Sequence, residues 1–347
     1  MQRVIALGLA FSSFYLTASG LPRLMAQEEP CLTRTIPVTA VDAHGTPLQD
    51  LQASSLAGKV HGRLVAVLST TLNIQPHRIM VCVDMSESMW GPGSLWPITQ
   101  TMLEDIAQSG PLVGQIGMEL FAEKVFDVVN ISSNPNPVRM KVASLQRANL
   151  EETVPKRARR TALWDALWQA ADRFTPPMPG DVIYVLTDGG DNSSHHSEKE
   201  LEDKLISRGI RVFGSIPTVP LASRGRTPEE ASGPEAMRDM VLSTGGNFIY
   251  LCPDPQDPLC GGLAGHLDDW TKNKRRPLLL AAHQLYQQMA VYYDIGIRLP
   301  FAANKGTELN LEIVDDRGHK RKDIQLLYPH RLPPCAKTTP MSPTSAN

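Results

Sequence analysis

The stretch VCVDMSESMW, residues 81–90, joins an apolar run directly to a cluster of polar side chains. The apolar run IMVCV, residues 79–83, has the composition of a buried strand, and it ends at Asp84. Two hydroxyl side chains follow at alternate positions, Ser86 and Ser88. A core strand that ends in a carboxylate and two serines predicts a polar site at one edge of a sheet.

A second apolar segment ends in the same way. Residues 181–192, DVIYVLTDGGDN, have the pattern of a buried strand that reaches Asp188. Between residues 77 and 255, apolar strand-like segments alternate with segments whose apolar residues recur at helical spacing. This alternation predicts an α/β fold with a doubly wound, mostly parallel, Rossmann-like sheet. Ligands bind such sheets outside the carboxyl ends of the strands, so Asp84 and Asp188 are expected at one edge.

Segments with the alternating pattern of strands lie on both sides of this α/β unit. They cover residues 36–68 before it and residues 292–329 after it. The two sides share a short pattern, V-D-x-x-G, in VDAHGTPLQDL at 41–51 and VDDRGHKRKDI at 314–324. Convergent hairpin chemistry and an internal duplication both explain this repeat. We expect the N- and C-terminal flanks to pack together as a small β side domain.

Composition and the N-terminal sequence bear on partners and compartment. The formal net charge of -2 over 347 residues predicts neither a nucleic-acid partner nor binding to an anionic membrane surface. Arg3, the apolar residues 4–18 and two small-residue motifs before residue 27 are typical of a secretory signal peptide. An uncleaved N-terminal anchor is the alternative. No later segment resembles a transmembrane helix, so the mature chain is expected to be secreted or periplasmic without a stable membrane span.

The predicted organisation therefore has six parts. They are a signal peptide (1–26), an N-terminal β segment (33–76), the α/β domain (77–255), a linker and helix (256–290), a C-terminal β segment (291–332) and a disordered tail (333–347).

The chain has five cysteines, which fits an oxidising compartment. Cys82 lies within a predicted strand and is expected to be a buried free thiol. Cys252 and Cys260 flank a short proline-rich loop and are predicted to form a disulfide. Cys31 and Cys335 lie near the two ends of the mature chain, and their spacing leaves open whether they pair or stay free.

Five oxygen-bearing side chains are expected to meet at the sheet edge. They are Asp84, Ser86, Ser88, Thr161 at the start of a predicted helix, and Asp188. The set contains neither histidine nor cysteine, and hard oxygen ligands favour Mg²⁺, or alternatively Mn²⁺ or Ca²⁺, over zinc or copper. Hydroxyl ligands leave much of the charge of such an ion unneutralised. The ion is therefore expected to attract a carboxylate from outside the chain.

The motifs that carry these residues resemble those of von Willebrand factor A (VWA) domains. DMSES at 84–88 matches the D-x-S-x-S motif of that family. TALWDAL at 161–167 is similar to its threonine loop, and VLTDGGDN at 185–192 is similar to its strand-4 aspartate loop. The three motifs come in the family's order, and the resemblance covers roughly residues 77–252.

The resemblance implies a VWA fold with an intact metal-ion-dependent adhesion site (MIDAS). In the resembling family, the positions of Ser86, Ser88 and Thr161 are direct ligands, and those of Asp84 and Asp188 act mostly through water. The flanking β segments loosely resemble a family of secreted bacterial VWA-related proteins.

Four of the five side chains also have a local structural explanation. Ser86 and Ser88 can cap the helix that follows them, and Thr161 can cap the helix that it precedes. Asp188 can belong to a turn formed by the residues TDGG. The whole set in the family's order favours one metal site over these separate explanations.

The loop after Asp188 holds further polar residues. They are Asp191, Asn192, His195 and His196. Two interpretations stay open for this loop, a second metal site and a solvated polar segment.

The sequence predicts a binding protein and no enzymatic activity. It contains no G-x-S-x-G elbow, no H-E-x-x-H pair and no phosphate-binding loop. The predicted function is divalent-metal-dependent, adhesion-type binding of a protein ligand through an exposed aspartate or glutamate of that ligand. An assembly subunit of a cell-envelope complex is the first alternative, and a metal-dependent hydrolase is a weaker one.

Overall fold

The computed structural model describes residues 32–74, 78–90, 96–108, 114–145, 150, 154, 160–216, 228–250, 275–303 and 305–334. The predicted signal peptide, the residues from 256 to 274 and the tail from 335 onward lie outside the described residues. The same is true of every cysteine except Cys82, so the predicted bridge between Cys252 and Cys260 stays a prediction. Cys82 itself is a buried free thiol, as expected.

A six-stranded sheet forms the centre of the α/β unit. Its strands, in spatial order, are β6 (Val125–Ser132), β5 (Gln115–Phe121), β4 (Arg78–Asp84), β7 (Val182–Leu186), β8 (Arg211–Ile216) and β9 (Phe248–Tyr250). All neighbouring pairs are parallel except β5 and β6, which are antiparallel. The prediction of a mostly parallel sheet is confirmed.

Helices cover both faces of this sheet, as a doubly wound fold requires. The described helices are α1 (Glu87–Trp90), α2 (Trp96–Gln108), α3 (Asn136–Ser144), α4 (Leu163–Asp172), α5 (Glu198–Ser207), α6 (Pro228–Ser243) and α7 (Arg275–Ala290). One hydrophobic core packs α2, α3 and α7 against one face of the sheet. A second core packs α4, α5 and α6 against the other face.

Local sequence signals fix the ends of α5. Ser197 accepts the Glu200 backbone N–H, and the Glu200 carboxylate accepts the Ser197 backbone N–H, which is a capping box. The helix ends before Gly209, which adopts a φ of 68°. Glycine reaches this left-handed conformation without steric cost, so Gly209 allows the chain to leave the helix at this point.

The two flanks of the chain form one antiparallel sheet of seven described strands. In spatial order they are β12 (Ile324–Leu327), β1 (Thr33–Asp42), β10 (Tyr292–Arg298), β3 (Arg63–Asn73), β2 (Leu56–Val60), β11 (Thr307–Ile313) and β13 (Arg331–Leu332). A separate hydrophobic core lies against this sheet. The predicted side domain is therefore confirmed, with one strand more than the central sheet.

The repeated V-D-x-x-G pattern forms the same turn twice. Asp42 Oδ1 accepts the backbone N–H groups of residues two and four positions ahead, at 2.8 Å each. Asp315 Oδ1 does the same at 2.9 and 2.8 Å. Gly45 and Gly318, three positions after each aspartate, both have φ near 80°. The turn geometry is thus shared, and both explanations of the repeat remain open.

Arg211, at the amino end of β8, joins the two sheets. Its guanidinium is fully buried and donates to Thr39 Oγ1 of β1 at 3.2 Å. It also donates to the carbonyl oxygens of Gln288 and Met289 at the end of α7, at 3.3 and 2.7 Å. The carboxyl end of a helix carries partial negative charge, which favours a cation at this position.

Candidate metal centre

The strand order brings Asp84 and Asp188 to the same edge of the central sheet. Asp84 is the last residue of β4, and Asp188 follows the end of β7 by two positions. The two strands are parallel neighbours, with Val83 paired to Leu186. The prediction that both carboxylates lie at one edge of the sheet, outside the carboxyl ends of strands, is confirmed.

The Asp84 carboxylate is buried and held at both oxygens. Oδ1 accepts the backbone N–H of Ser86 at 2.8 Å, and Oδ2 accepts the Thr187 hydroxyl at 2.7 Å. Thr187 Oγ1 in turn accepts the Gly189 N–H at 3.0 Å. Sequence analysis missed Thr187 as a member of the site. The signal for it was its place between a buried strand and Asp188, where a hydroxyl faces the neighbouring strand end.

The two serine hydroxyls face each other just after Asp84, Ser86 in the loop and Ser88 in the first turn of α1. Ser86 Oγ and Ser88 Oγ are 3.0 Å apart and share a hydrogen bond. Ser86 is buried, whereas Ser88 is exposed. The backbone N–H of Met85 donates to Phe121 O at 2.7 Å, which fixes the start of this loop against the end of β5. One hydroxyl therefore lies inside the loop and one at its surface.

Thr161 lies in a neighbouring loop that is fastened to the same strand end. Ala162 N donates to Ala122 O, one residue beyond β5, at 2.8 Å. Asn192 clamps the loop from the other side, since its Oδ1 accepts Thr161 N at 3.0 Å and its N–H donates to Thr161 O at 2.9 Å. The structure therefore places the five predicted residues at one sheet edge: Asp84 at the end of β4, Ser86 in the loop after it, Ser88 in α1, and Thr161 and Asp188 in two further loops.

The alternative that Thr161 caps the helix is wrong. The N-cap residue of α4 is Ala162, which makes no side-chain cap. Asp191 supplies the cap from the opposite loop, because its Oδ1 accepts Leu163 N at 2.9 Å. A carboxylate is a good acceptor at a helix N-terminus and complements the positive end of the helix. Within the described chain, the Thr161 hydroxyl itself has no hydrogen-bond partner.

The electrostatics of the two carboxylates favour a cation. Burial and the nearby charge of Asp188 raise the pKa of Asp84 to about 7, against the hydrogen bonds from Ser86 and Thr187 that lower it. Among the described residues, no lysine, arginine or histidine forms an ion pair with either carboxylate. The described residues also contain no group of three or more histidine, cysteine, aspartate or glutamate side chains arranged for a metal. The five residues at the sheet edge contribute two carboxylates and three hydroxyls, a donor set that fits a hard divalent ion.

We expect Mg²⁺ affinity to fall as the pH drops through the pKa of Asp84. The folded-state pKa is raised to about 7, so between the ordinary carboxyl pKa and this value the folded, metal-free protein holds a proton that the unfolded chain has lost. A cation must displace this proton, and about one proton should be released per ion bound one pH unit below the pKa. Calorimetry in two buffers of different ionisation enthalpy measures this release. Equal affinity and equal proton release one pH unit above and below the pKa would contradict the expectation.

Comparisons with known proteins give only partial similarities. No protein-family model and no curated protein matches the chain. An aerotolerance-related membrane protein from Bacteroides fragilis is 21% identical, with a TM-score of 0.39 over 53% of this chain and 94% of that chain. The conserved hypothetical protein BatB from Bacteroides thetaiotaomicron is 20% identical, with a TM-score of 0.36 over 56% of this chain and 99% of that chain. Proximal thread matrix protein 1 from the mussel byssus is 14% identical, with a TM-score of 0.38 over 58% of this chain and 49% of that chain.

No helix among the described residues combines the length and the apolar character needed to span a membrane.

Proposed function

We propose that this protein is a divalent-cation-dependent protein-binding module. The observation that carries the proposal is the pair of strand-end carboxylates, Asp84 and Asp188, which no basic side chain of the described residues neutralises. Three hydroxyl side chains, those of Ser86, Ser88 and Thr161, lie at the same sheet edge. A buried carboxylate beside a second one is costly without a compensating charge, and a bound Mg²⁺, Mn²⁺ or Ca²⁺ would supply it.

The five residues would have two different roles in such a site, as direct ligands and as ligands through water. Ser86, Ser88 and Thr161 would hold the ion through their hydroxyls, and Asp84 and Asp188 would hold it through water, as the resemblance to VWA domains implies. The bound ion would leave a coordination position for a carboxylate of the partner. Asp84 is too deeply buried to touch a partner, whereas Ser88 is exposed at the rim.

The partner is proposed to be a protein with an exposed aspartate or glutamate. A neutral ligand gains little over the water that it replaces. A carboxylate gains the attraction of a divalent ion whose hydroxyl ligands carry no charge, at a rim where screening by solvent is reduced. The binding is proposed to take place outside the cytoplasm, because residues 1–26 have the pattern of a signal peptide.

The test compares proteins captured from an envelope extract by the wild type and by Ser86→Ala, each with Mg²⁺ and with EDTA. A true partner should be retained only by the wild type with Mg²⁺. Ser69→Ala is a matched control, because Ser69 is an exposed serine on the side sheet. Changing one acidic residue of the partner to its amide should then abolish binding to the purified protein. A partner whose affinity survives both EDTA and Ser86→Ala would show that its interface lies elsewhere.

A further inference from the structure

Two consecutive histidines share one carboxylate at the rim of the α/β unit. Asp165, in the first turn of α4, accepts four hydrogen bonds. His195 donates to Oδ2 from its backbone N–H and its Nδ1, at 3.0 Å each. His196 donates to Oδ1 from its backbone N–H at 3.0 Å and from its Nδ1 at 2.6 Å. The carboxylate therefore fixes both imidazole rings through the same ring nitrogen.

This arrangement determines the tautomer of both rings. Burial alone would raise the pKa of Asp165, but the hydrogen bonds from His195 and His196 outweigh it and hold that pKa well below its ordinary value. An ionised carboxylate only accepts hydrogen bonds, so both Nδ1 atoms must carry the hydrogen. In a neutral imidazole, the lone pair is then on Nε2, the atom turned away from Asp165.

The two Nε2 atoms are available for a ligand. The His195 side chain is 91% exposed, and that of His196 is 37% exposed. The His196 ring is held by stacking on Trp168, with centroids 3.9 Å apart and an interplanar angle of 13°. Neither Nε2 has a hydrogen-bond partner among the residues that the structure describes. The His196 ring is thus held by both Asp165 and Trp168, and the His195 ring is held by Asp165 at the surface.

The neighbouring polar residues of the loop form hydrogen bonds within the protein. Asp191 caps α4, and Asn192 clamps the Thr161 loop. Ser194 donates to Asp191 at 2.6 Å and accepts the Asp165 N–H at 3.0 Å. Asp191 Oδ1, Asn192 and Ser194 therefore hold the loop to its neighbours, and both histidines keep their Nε2 atoms for a ligand.

We propose that His195 and His196 form a second cation site, separate from the Asp84 site, that binds a borderline transition metal such as Zn²⁺ through both Nε2 atoms. Neutral imidazole is a preferred ligand of zinc, copper and nickel, whereas Mg²⁺ and Ca²⁺ prefer oxygen. A carboxylate on the other ring nitrogen is the usual outer support of a metal-binding histidine, because it fixes the ring and raises its basicity. The described chain adds no third histidine, cysteine, aspartate or glutamate to the pair. The remaining coordination positions go to water, so the site is open to an added ligand.

Calorimetry with ZnCl₂ in saturating Mg²⁺ tests this site on the full chain. We expect one Zn²⁺ per chain, with at least about tenfold weaker binding in His195→Gln and in His196→Gln. Asp165→Asn should weaken binding about 10–100-fold, the usual loss for an outer-shell partner. Nitrogen NMR should show Nδ1–H in both rings before zinc is added, and a shift of both Nε2 signals after it.

Two controls separate this site from other sources of zinc binding. His319→Gln removes an exposed histidine whose Nδ1 also faces a carboxylate, that of Asp315 at 3.4 Å, but which stands without a neighbouring histidine. It should leave zinc affinity unchanged. Ser86→Ala, which alters the Asp84 site, should also leave zinc affinity unchanged. A failure of the zinc proposal can therefore be told apart from a failure of the proposed Mg²⁺-dependent function.

The proposal is overturned by either of two results. One is no zinc binding by the wild type up to millimolar concentration. The other is wild-type zinc affinity in the double variant His195→Gln/His196→Gln, whose fold is checked by circular dichroism. If the double variant does not fold, the single variant His195→Gln still tests the site, because a side chain that is 91% exposed contributes little to folding.

Discussion

Replacing Asp188 by alanine should lower Mg²⁺ affinity by about 10–100-fold, as expected for loss of a carboxylate that acts through water. The fold should survive the change. Asp188 lies beyond the end of β7 and is partly exposed, and its Oδ1 accepts a single backbone N–H, from Gly190 at 3.1 Å. The substitution also removes a repulsion, because the charge of Asp188 is one of the causes that raise the pKa of Asp84. The metal-free variant should therefore be at least as stable as the metal-free wild type near neutral pH.

Calorimetry with Mg²⁺ and Mn²⁺ measures the affinity, and thermal unfolding in EDTA measures the stability. Asp323→Ala is a matched control, since Asp323 is an exposed aspartate directly before β12 that pairs with Arg321 at 2.6 Å. The control should keep full Mg²⁺ affinity. Unchanged affinity in Asp188→Ala would remove Asp188 from the metal site.

The architecture was predictable where local pattern and burial agree. The apolar run before Asp84 and the one before Asp188 are short, continuous and flanked by polar residues, which is the pattern of strands covered on both faces. Parallel strands place their carboxyl ends at one edge, so the meeting of these two residues followed from the strand assignment alone. The side sheet was predictable for the same reason, because alternating segments occur at both ends of the chain.

The parts that escaped prediction depend on contacts between distant segments. The cap of α4 is Asp191, which lies 28 positions after Leu163, the residue whose N–H it accepts. From the sequence alone, Thr161 was the candidate cap because it directly precedes the helix. The hydrogen bond from Thr187 to Asp84 spans 103 positions. Sequence pattern describes a residue's own segment, and it carries no information on which distant group completes that residue's hydrogen bonds.

Arg211 is the strongest example of such a distant dependence. In the sequence it is one residue of the strand-like segment IRVFGSI, and nothing in that segment indicates that its charge is buried. Burial lowers the pKa of Arg211 to about 10, while Tyr292 and Asp294 act in the opposite direction, so the guanidinium stays charged at neutral pH. Its centre also lies 4.6 Å from the centroid of the Tyr292 ring, within reach of a cation–π interaction.

Arg211→Met should lower the free energy of unfolding by about 3–5 kcal/mol. Methionine keeps the apolar stem, so the loss comes from the charge and its hydrogen bonds. The variant leaves the carbonyl oxygens of Gln288 and Met289 buried without this donor, and each such group costs about 1–3 kcal/mol. The favourable interaction of the cation with the end of α7 disappears as well.

Urea unfolding measures the loss, with Arg321→Met as the control. Arg321 is an exposed arginine paired with Asp323, and such surface pairs contribute about 0–1 kcal/mol. Arg211 stands at the amino end of β8, whereas Asp84 and Asp188 stand at the carboxyl ends of their strands, on the opposite edge of the same sheet. Folded Arg211→Met should therefore bind Mg²⁺ with wild-type affinity while unfolding at a lower urea concentration. A free energy of unfolding within about 1 kcal/mol of the wild-type value would show that the two sheets are held together without the buried charge. A loss of Mg²⁺ affinity in the folded variant would show that the contacts of Arg211 also position the sheet edge that holds Asp84 and Asp188.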